Sequence, residues 1–152
     1  MDLRDRILLG GAALLCLLFL AGCRTAVPGE RFDVGNDIAK AQKIVAADAA
    51  GTEKAVLETE EEIDAFVKAA DVENWRLAEK PEGLTEAGSF TLWQTETVTA
   101  LIGESEAKDV EICTFHVYAE ADCLTIDTGF ADISFTFSIP RAAADYLRGL
   151  TA

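Results

Sequence analysis

Asp132-Ile133-Ser134-Phe135-Thr136-Phe137-Ser138-Ile139 alternates polar and apolar side chains without a break, the period of two that a half-buried β-strand requires. Upstream, Cys123–Asp127 offers Leu124 and Ile126 as its apolar side. Matching apolar faces across an antiparallel pair sets Leu124 opposite Phe135 and Ile126 opposite Ile133. That register leaves Gly129-Phe130 as a two-residue turn, with glycine where a type II′ hairpin needs it. The same reasoning on Val110–Tyr118 puts Val117 across from Leu124 and Phe115 across from Ile126, with Glu120-Ala121 at the turn. Three strands then form a meander. Pro140, Arg141–Arg148 and Gly149 follow as a short helix with a proline start and a glycine stop.

Further upstream, Thr59-Glu60-Glu61-Glu62 has the form of a capping box, and three acids in a first turn suit the helix dipole. A helix over residues 60–70 places Ile63, Phe66, Val67 and Ala70 on one stripe that can cover a sheet. Trp75 and Leu77 mark a short strand, Lys80–Ser89 with Pro81, Gly83 and Gly88 a loop, and Phe90–Thr97 another strand. Lys43–Asp48 and Lys54–Thr59 read as a hairpin around Gly51, although the alanines leave a helix open for residues 37–47. The expected class is α+β: a mostly antiparallel sheet of five or six strands, covered on one face by the helix at 60–70, with a short C-terminal helix.

The chain has 152 residues and a formal charge of −14. Asp2 and Asp5 cancel Arg4 and Arg6, so everything after residue 22 carries the whole imbalance. Such a surface repels phosphate backbones and anionic headgroups, which argues against nucleic acid as a partner. Ile7–Leu20 is an apolar run of 14 residues behind the two arginines, the layout of an export signal and shorter than the roughly 20 residues a spanning helix needs. An uncleaved N-terminal anchor is the other reading of that run.

Leu20-Ala21-Gly22-Cys23 closes the run, and it resembles the lipobox of bacterial lipoproteins. The resemblance covers the first 23 residues. It implies that the bond between Gly22 and Cys23 is cut and that Cys23 carries a diacylglycerol and becomes the new N-terminus; apart from that lipid, no cofactor is expected. Two acyl chains, at about 0.8 kcal/mol per buried methylene, make a lasting anchor. The implied organisation is a cleaved signal over residues 1–22, a lipidated N-terminus and tether over 23–37, and one small domain over 38–152. Arg24 after the cysteine means that no aspartate there would hold the protein at an inner membrane.

Candidate chemistry in the mature part is sparse. Cys113 and Cys123 fall on opposite faces of the meander, which opposes a disulfide and leaves one core thiol and one half-exposed thiol. His116, the single histidine, sits in a strand between Phe115 and Val117 and reads as structural; a zinc set with both cysteines lacks a shared face. Glu58, Glu60, Glu61, Glu62 and Asp64 lack the spacing of a calcium loop. Gly103-Glu104-Ser105-Glu106-Ala107 lacks the second glycine of a nucleophile elbow. No catalytic and no metal-binding residue is therefore assigned. Trp93 and Tyr118 are the residues named for a recognition surface, since aromatic rings are enriched at interfaces. The reading is a membrane-anchored, non-enzymatic module that binds an envelope protein or a small ligand. A small carboxylate-based or metal-dependent hydrolase and a surface-displayed inhibitor are the alternatives.

Overall fold

Thr59 closes its helix as the capping box requires. Its hydroxyl accepts from the Glu62 amide at 3.2 Å, and the Glu62 carboxylate accepts from the amides of Thr59 at 3.1 Å and Glu58 at 3.2 Å. These bonds satisfy donors that a helix start otherwise leaves bare. In the computed structural model, which describes residues 34–99, 105–129 and 131–152, the helix runs Glu60–Ala70 and buries Ile63, Phe66 and Ala70. The signal run, the lipobox and residues 23–33 of the tether lie outside the described residues.

In chain order the elements are α1 (Val34–Ala39), β1 (Lys43–Asp48), β2 (Glu53–Leu57), α2 (Glu60–Ala70), a 3₁₀ turn (Val72–Asn74), β3 (Arg76–Ala78), β4 (Glu86–Thr99), β5 (Ser105–Tyr118), β6 (Cys123–Asp127), β7 (Ser134–Ser138) and α3 (Arg141–Thr151). Residues 33–152 cohere as one compact unit. The last residues of the stretch read as tether are helical, because α1 begins at Val34 and anchors itself by burying Ile38. The strands form one seven-stranded antiparallel sheet in the order β2-β1-β4-β5-β6-β7-β3. The alanine-rich β1 pairs on both sides, with β2 and β4, which closes the helical option for residues 43–47. After β2 the chain crosses one face as α2, lays β3 at the far edge, and returns to the centre as β4.

Alternation along the strands makes two unlike faces. The helix side carries Ile44, Ala46, Phe90, Leu92, Cys113, Phe115, Val117, Leu124 and Ile126, all buried. Phe66 of α2 meets Phe90 at 5.4 Å between ring centroids and Tyr146 of α3 at 6.2 Å. Trp75 covers Phe115 and Phe137 at 5.7 and 6.0 Å while its indole N–H donates to the Ala70 carbonyl at 2.7 Å. Each such side chain removed from water stabilises by roughly 1.5–3 kcal/mol before entropy is counted.

Three expectations need correction. First, β6 and β7 pair with Leu124 opposite Phe137 and Ile126 opposite Phe135, two residues from the register the face pattern gives. A slip of two leaves every side chain on its face, so the apolar pattern cannot distinguish the registers. The connection decides, and it is longer than two residues. Asp127 Oδ1 accepts from the Gly129 amide at 2.9 Å, Thr128 Oγ1 donates to the Ile133 carbonyl at 3.2 Å, and Gly129, Ala131 and Asp132 have φ of 66°, 55° and 55°. Phe130 lies outside the described residues.

Second, the loop after Lys80 ends sooner, because β4 starts at Glu86 and contains Gly88. A Cβ on Gly88 would overlap the Ala47 carbonyl oxygen and the Thr151 side chain, so glycine here is a close approach between sheet and helix. Third, α3 does not stop at Gly149. It continues to Thr151, which is buried. Arg148 fixes this last turn by donating to the Tyr118 and Ala121 carbonyls, each at 3.2 Å, and to Asp122 and Asp145 at 3.1 and 2.7 Å.

Candidate functional site

The apolar face of the sheet is wider than its helical cover. α3 packs on β1, β2, β4 and β5, and Trp75 extends the cover to Phe137. Beyond that, Leu77 is 72% exposed, Ile133 46% and Phe135 37%, and these are the exposed large apolar side chains among the described residues. All three lie at one corner. Leu77 of β3 stands opposite Phe137 of β7, and Phe135 is the next residue of β7 on that face, within diagonal reach across the pair. Ile133 follows at the loop end. β3 is also the terminal strand of the sheet, so its outer backbone groups have no strand partner among the described residues.

Neither aromatic residue named for a recognition surface lies at this corner. Tyr118 is 4% exposed, and a surface built on its ring is therefore corrected by the structure. Its hydroxyl donates to Thr125 at 2.9 Å, Thr125 and Thr136 share a further bond at 3.0 Å, and the Lys80 ammonium sits 5.1 Å above the ring. The buried hydroxyl chain explains why Thr136 is inside while Phe135 beside it is exposed. Trp93 is half-buried in register with Lys43 and Glu111, and its carbonyl accepts from the Gln42 amide at 2.8 Å. It lies across the sheet from the exposed corner.

His116 Nδ1 lies 3.0 Å from Glu86 Oε1 on the non-helical face, in register with Ser89 and Thr125. Cys113 and Cys123 are both buried and unbonded. The core thiol is as expected, but the second is not half-exposed, since Cys123 is shielded at the end of β6. Cys113 faces the helices and Cys123 the opposite side, so His116 shares no face with Cys113. Burial pushes the Cys113 thiol up to about 12, with the charges of Asp37 and Glu111 adding to it, and burial also raises Cys123. These are packing thiols, with little thiolate for chemistry.

The acidic stretch after β2 does two separate jobs. Glu62 caps α2, and the backbone N–H groups of Thr59 and then Glu58 hold its carboxyl below the usual glutamate range. Glu58, Glu60 and Asp64 line a cleft of about 650 Å³ with Lys40, Gln42 and Gln94. In that cleft Gln42 accepts from the Thr95 amide at 2.8 Å and Glu58 pairs with Lys43 at 3.6 Å. The three acids are exposed. Among the described residues no three His, Cys, Asp or Glu side chains converge to hold a metal ion.

Compared with known protein families, with curated proteins and with solved structures, the chain matches none. Among the described residues no helix is long and apolar enough to cross a membrane.

The corner of Leu77, Ile133 and Phe135 was legible only in part. Leu77 reads from sequence as a strand residue and the two others as the oil side of a strand. Nothing in their spacing tells that the helical cover ends before it reaches them.

Proposed function

We propose that the chain is the precursor of a lipid-anchored extracytoplasmic protein whose folded domain is a non-enzymatic binding module of the cell envelope. The observation that carries the address is Leu20-Ala21-Gly22-Cys23 at the end of the 14-residue apolar run Ile7–Leu20. Cleavage before Cys23 and a diacylglycerol on its sulfur tether the domain to a membrane surface. The uncovered apolar corner supports a binding role, because soluble surfaces seldom leave large aliphatic and aromatic side chains grouped in water without a use for them. The excess negative charge keeps the tethered domain off anionic headgroups and steers it toward basic protein partners.

The test is a comparison of wild type with Cys23→Ala in a bacterial host that processes lipoproteins. Wild type incorporates labelled fatty acid and sediments with membranes, whereas Cys23→Ala incorporates none and accumulates as an uncut precursor. Equal labelling and an unchanged apparent size in the variant would refute the address.

A further inference from the structure

Ile133-Ser134-Phe135-Thr136-Phe137-Ser138-Ile139 repeats one pattern along β7, an apolar side chain at every second position and a hydroxyl between. Moving β7 by two residues along β6 therefore replaces like with like. In the present register Leu124 faces Phe137, Ile126 faces Phe135, Thr125 faces Thr136 and Cys123 faces Ser138. After a step of two toward α3, Leu124 faces Phe135, Ile126 faces Ile133, Thr125 faces Ser134 and Cys123 faces Thr136. No side chain changes face. On the other edge of β7, Leu77 of β3 exchanges Phe137 for Phe135, while Trp75 holds β3 in place through its bond to the Ala70 carbonyl.

What separates the two registers lies at the ends of the strand. The present one needs the connection 128–133, in which Ala131 and Asp132 each hold a φ of 55°, a conformation that residues with a Cβ resist. It also leaves Ile133 46% exposed at the loop end. The stepped register shortens the connection to a turn at residues 129 and 130, where Gly129 already has a positive φ, and returns Ala131 and Asp132 to extended backbone. Against it, Asp132 comes to lie opposite Asp127, and like charges so placed repel. Phe137 also displaces buried Ile139, and the bond from the Ile139 amide to the Asp122 carbonyl at 3.0 Å is lost. We infer that β7 is a sliding strand with two registers: the present one exposes Leu77, Ile133 and Phe135 together, and the stepped one draws Phe135 under Trp75 and leaves Leu77 and Ile133 at the corner. A partner that covers all three side chains holds β7 in the present register, because unequal affinity for two states is what shifts them.

As control of the corner the switch rests on the binding-module reading, but the step itself is measured with no partner present. Cys123 is the reporter, in the protein extracted from membranes in neutral detergent. A disulfide requires α-carbons within about 7 Å, which the present register gives to Ser138→Cys and the stepped one to Thr136→Cys. Mild oxidation is followed by unfolding, alkylation and trypsin. The peptide 109–141 then holds Cys113, Cys123 and the introduced thiol, and its mass shows alkylation of Cys113 alone when Cys123 is bridged. Ser138→Cys bridges first, and Thr136→Cys follows at a rate lower by about tenfold to a thousandfold, the share of a minor state. Adding Ala131→Gly and Asp132→Gly, which ease the present connection, slows the Thr136→Cys bridge by about fivefold or more. Asp132→Thr, which removes the facing charge and resists a positive φ, speeds it by about as much. Fraying of the sheet would respond to the glycines the other way. Dichroism and melting check the fold of each variant. If Thr136→Cys melts early, Ala78→Cys with Ser134→Cys, opposed only after the step, takes its place. The inference is overturned if the stepped pair does not bridge while Ser138→Cys does, if it bridges faster than Ser138→Cys, or if the glycines leave its rate unchanged or raise it. Any of these results removes the switch and leaves the binding-module reading standing.

Discussion

Asp48, Glu62 and Glu120 behave alike, though they sit in a hairpin, at a helix start and in a strand connection. Each carboxylate accepts backbone N–H groups: Asp48 from Thr52 and Ala50, Glu62 from Thr59 and Glu58, and Glu120 from Thr85. Those bonds hold all three below the usual carboxylate range. A depressed folded value means that the unfolded chain binds more protons in the window between the two values. Stability from these groups is therefore present above the unfolded value and lost as pH falls through the folded one. Glu62→Gln should be less stable than wild type above about pH 5, with the gap closing as pH falls below about 4, read as urea midpoints at each pH. A gap that does not change with pH would show that the Glu62 charge plays no part in the cap. The capping box was readable from Thr59 and Glu62 because both partners lie within one turn. Tyr118 was not, since its burial depends on Thr125 of the next strand and Lys80 of a distant loop.

Among elements, the near-complete agreement for α2 contrasts with the β6–β7 pair. α2 is set by a local cap and a 3.6-residue stripe, both contained in its own residues. The β5–β6 register was likewise legible, with Phe115 opposite Ile126 and Val117 opposite Leu124. The β6–β7 register slipped by two because the faces are blind to such a shift, and the loop that selects it depends on local bonds of Asp127 and Thr128. Packing between elements was also hidden. Gly88 pairs within the sheet and must be glycine because the end of α3 and the Ala47 carbonyl leave no room for a Cβ. Gly88→Ala must push α3 or β1 outward, and the expected loss is about 1–3 kcal/mol, checked by equilibrium urea unfolding. A midpoint equal to wild type would mean that α3 does not close on the sheet there.

For the whole molecule, the proposed role rests on two features: the lipobox-like Leu20-Ala21-Gly22-Cys23 and the exposed apolar corner of the folded unit. The sheet has seven strands, more than the sequence suggested, because three-residue β3 joins its far edge through β7. That added strand takes the apolar face past its helical cover and leaves Leu77, Ile133 and Phe135 in water. The proposed address rests on the resemblance of Leu20-Ala21-Gly22-Cys23 to a short linear motif, which sequence alone can carry. The exposed corner of Leu77, Ile133 and Phe135 was not legible, because it arises from where the helices end. The central claim, that this domain is carried on a lipid at Cys23, is tested most directly by the mass of the N-terminal peptide of the protein extracted from membranes. The account predicts a peptide that begins at Cys23 and carries a diacylglycerol on its sulfur. A peptide that retains Leu20-Ala21-Gly22, or one that begins at an unmodified Cys23, would contradict it.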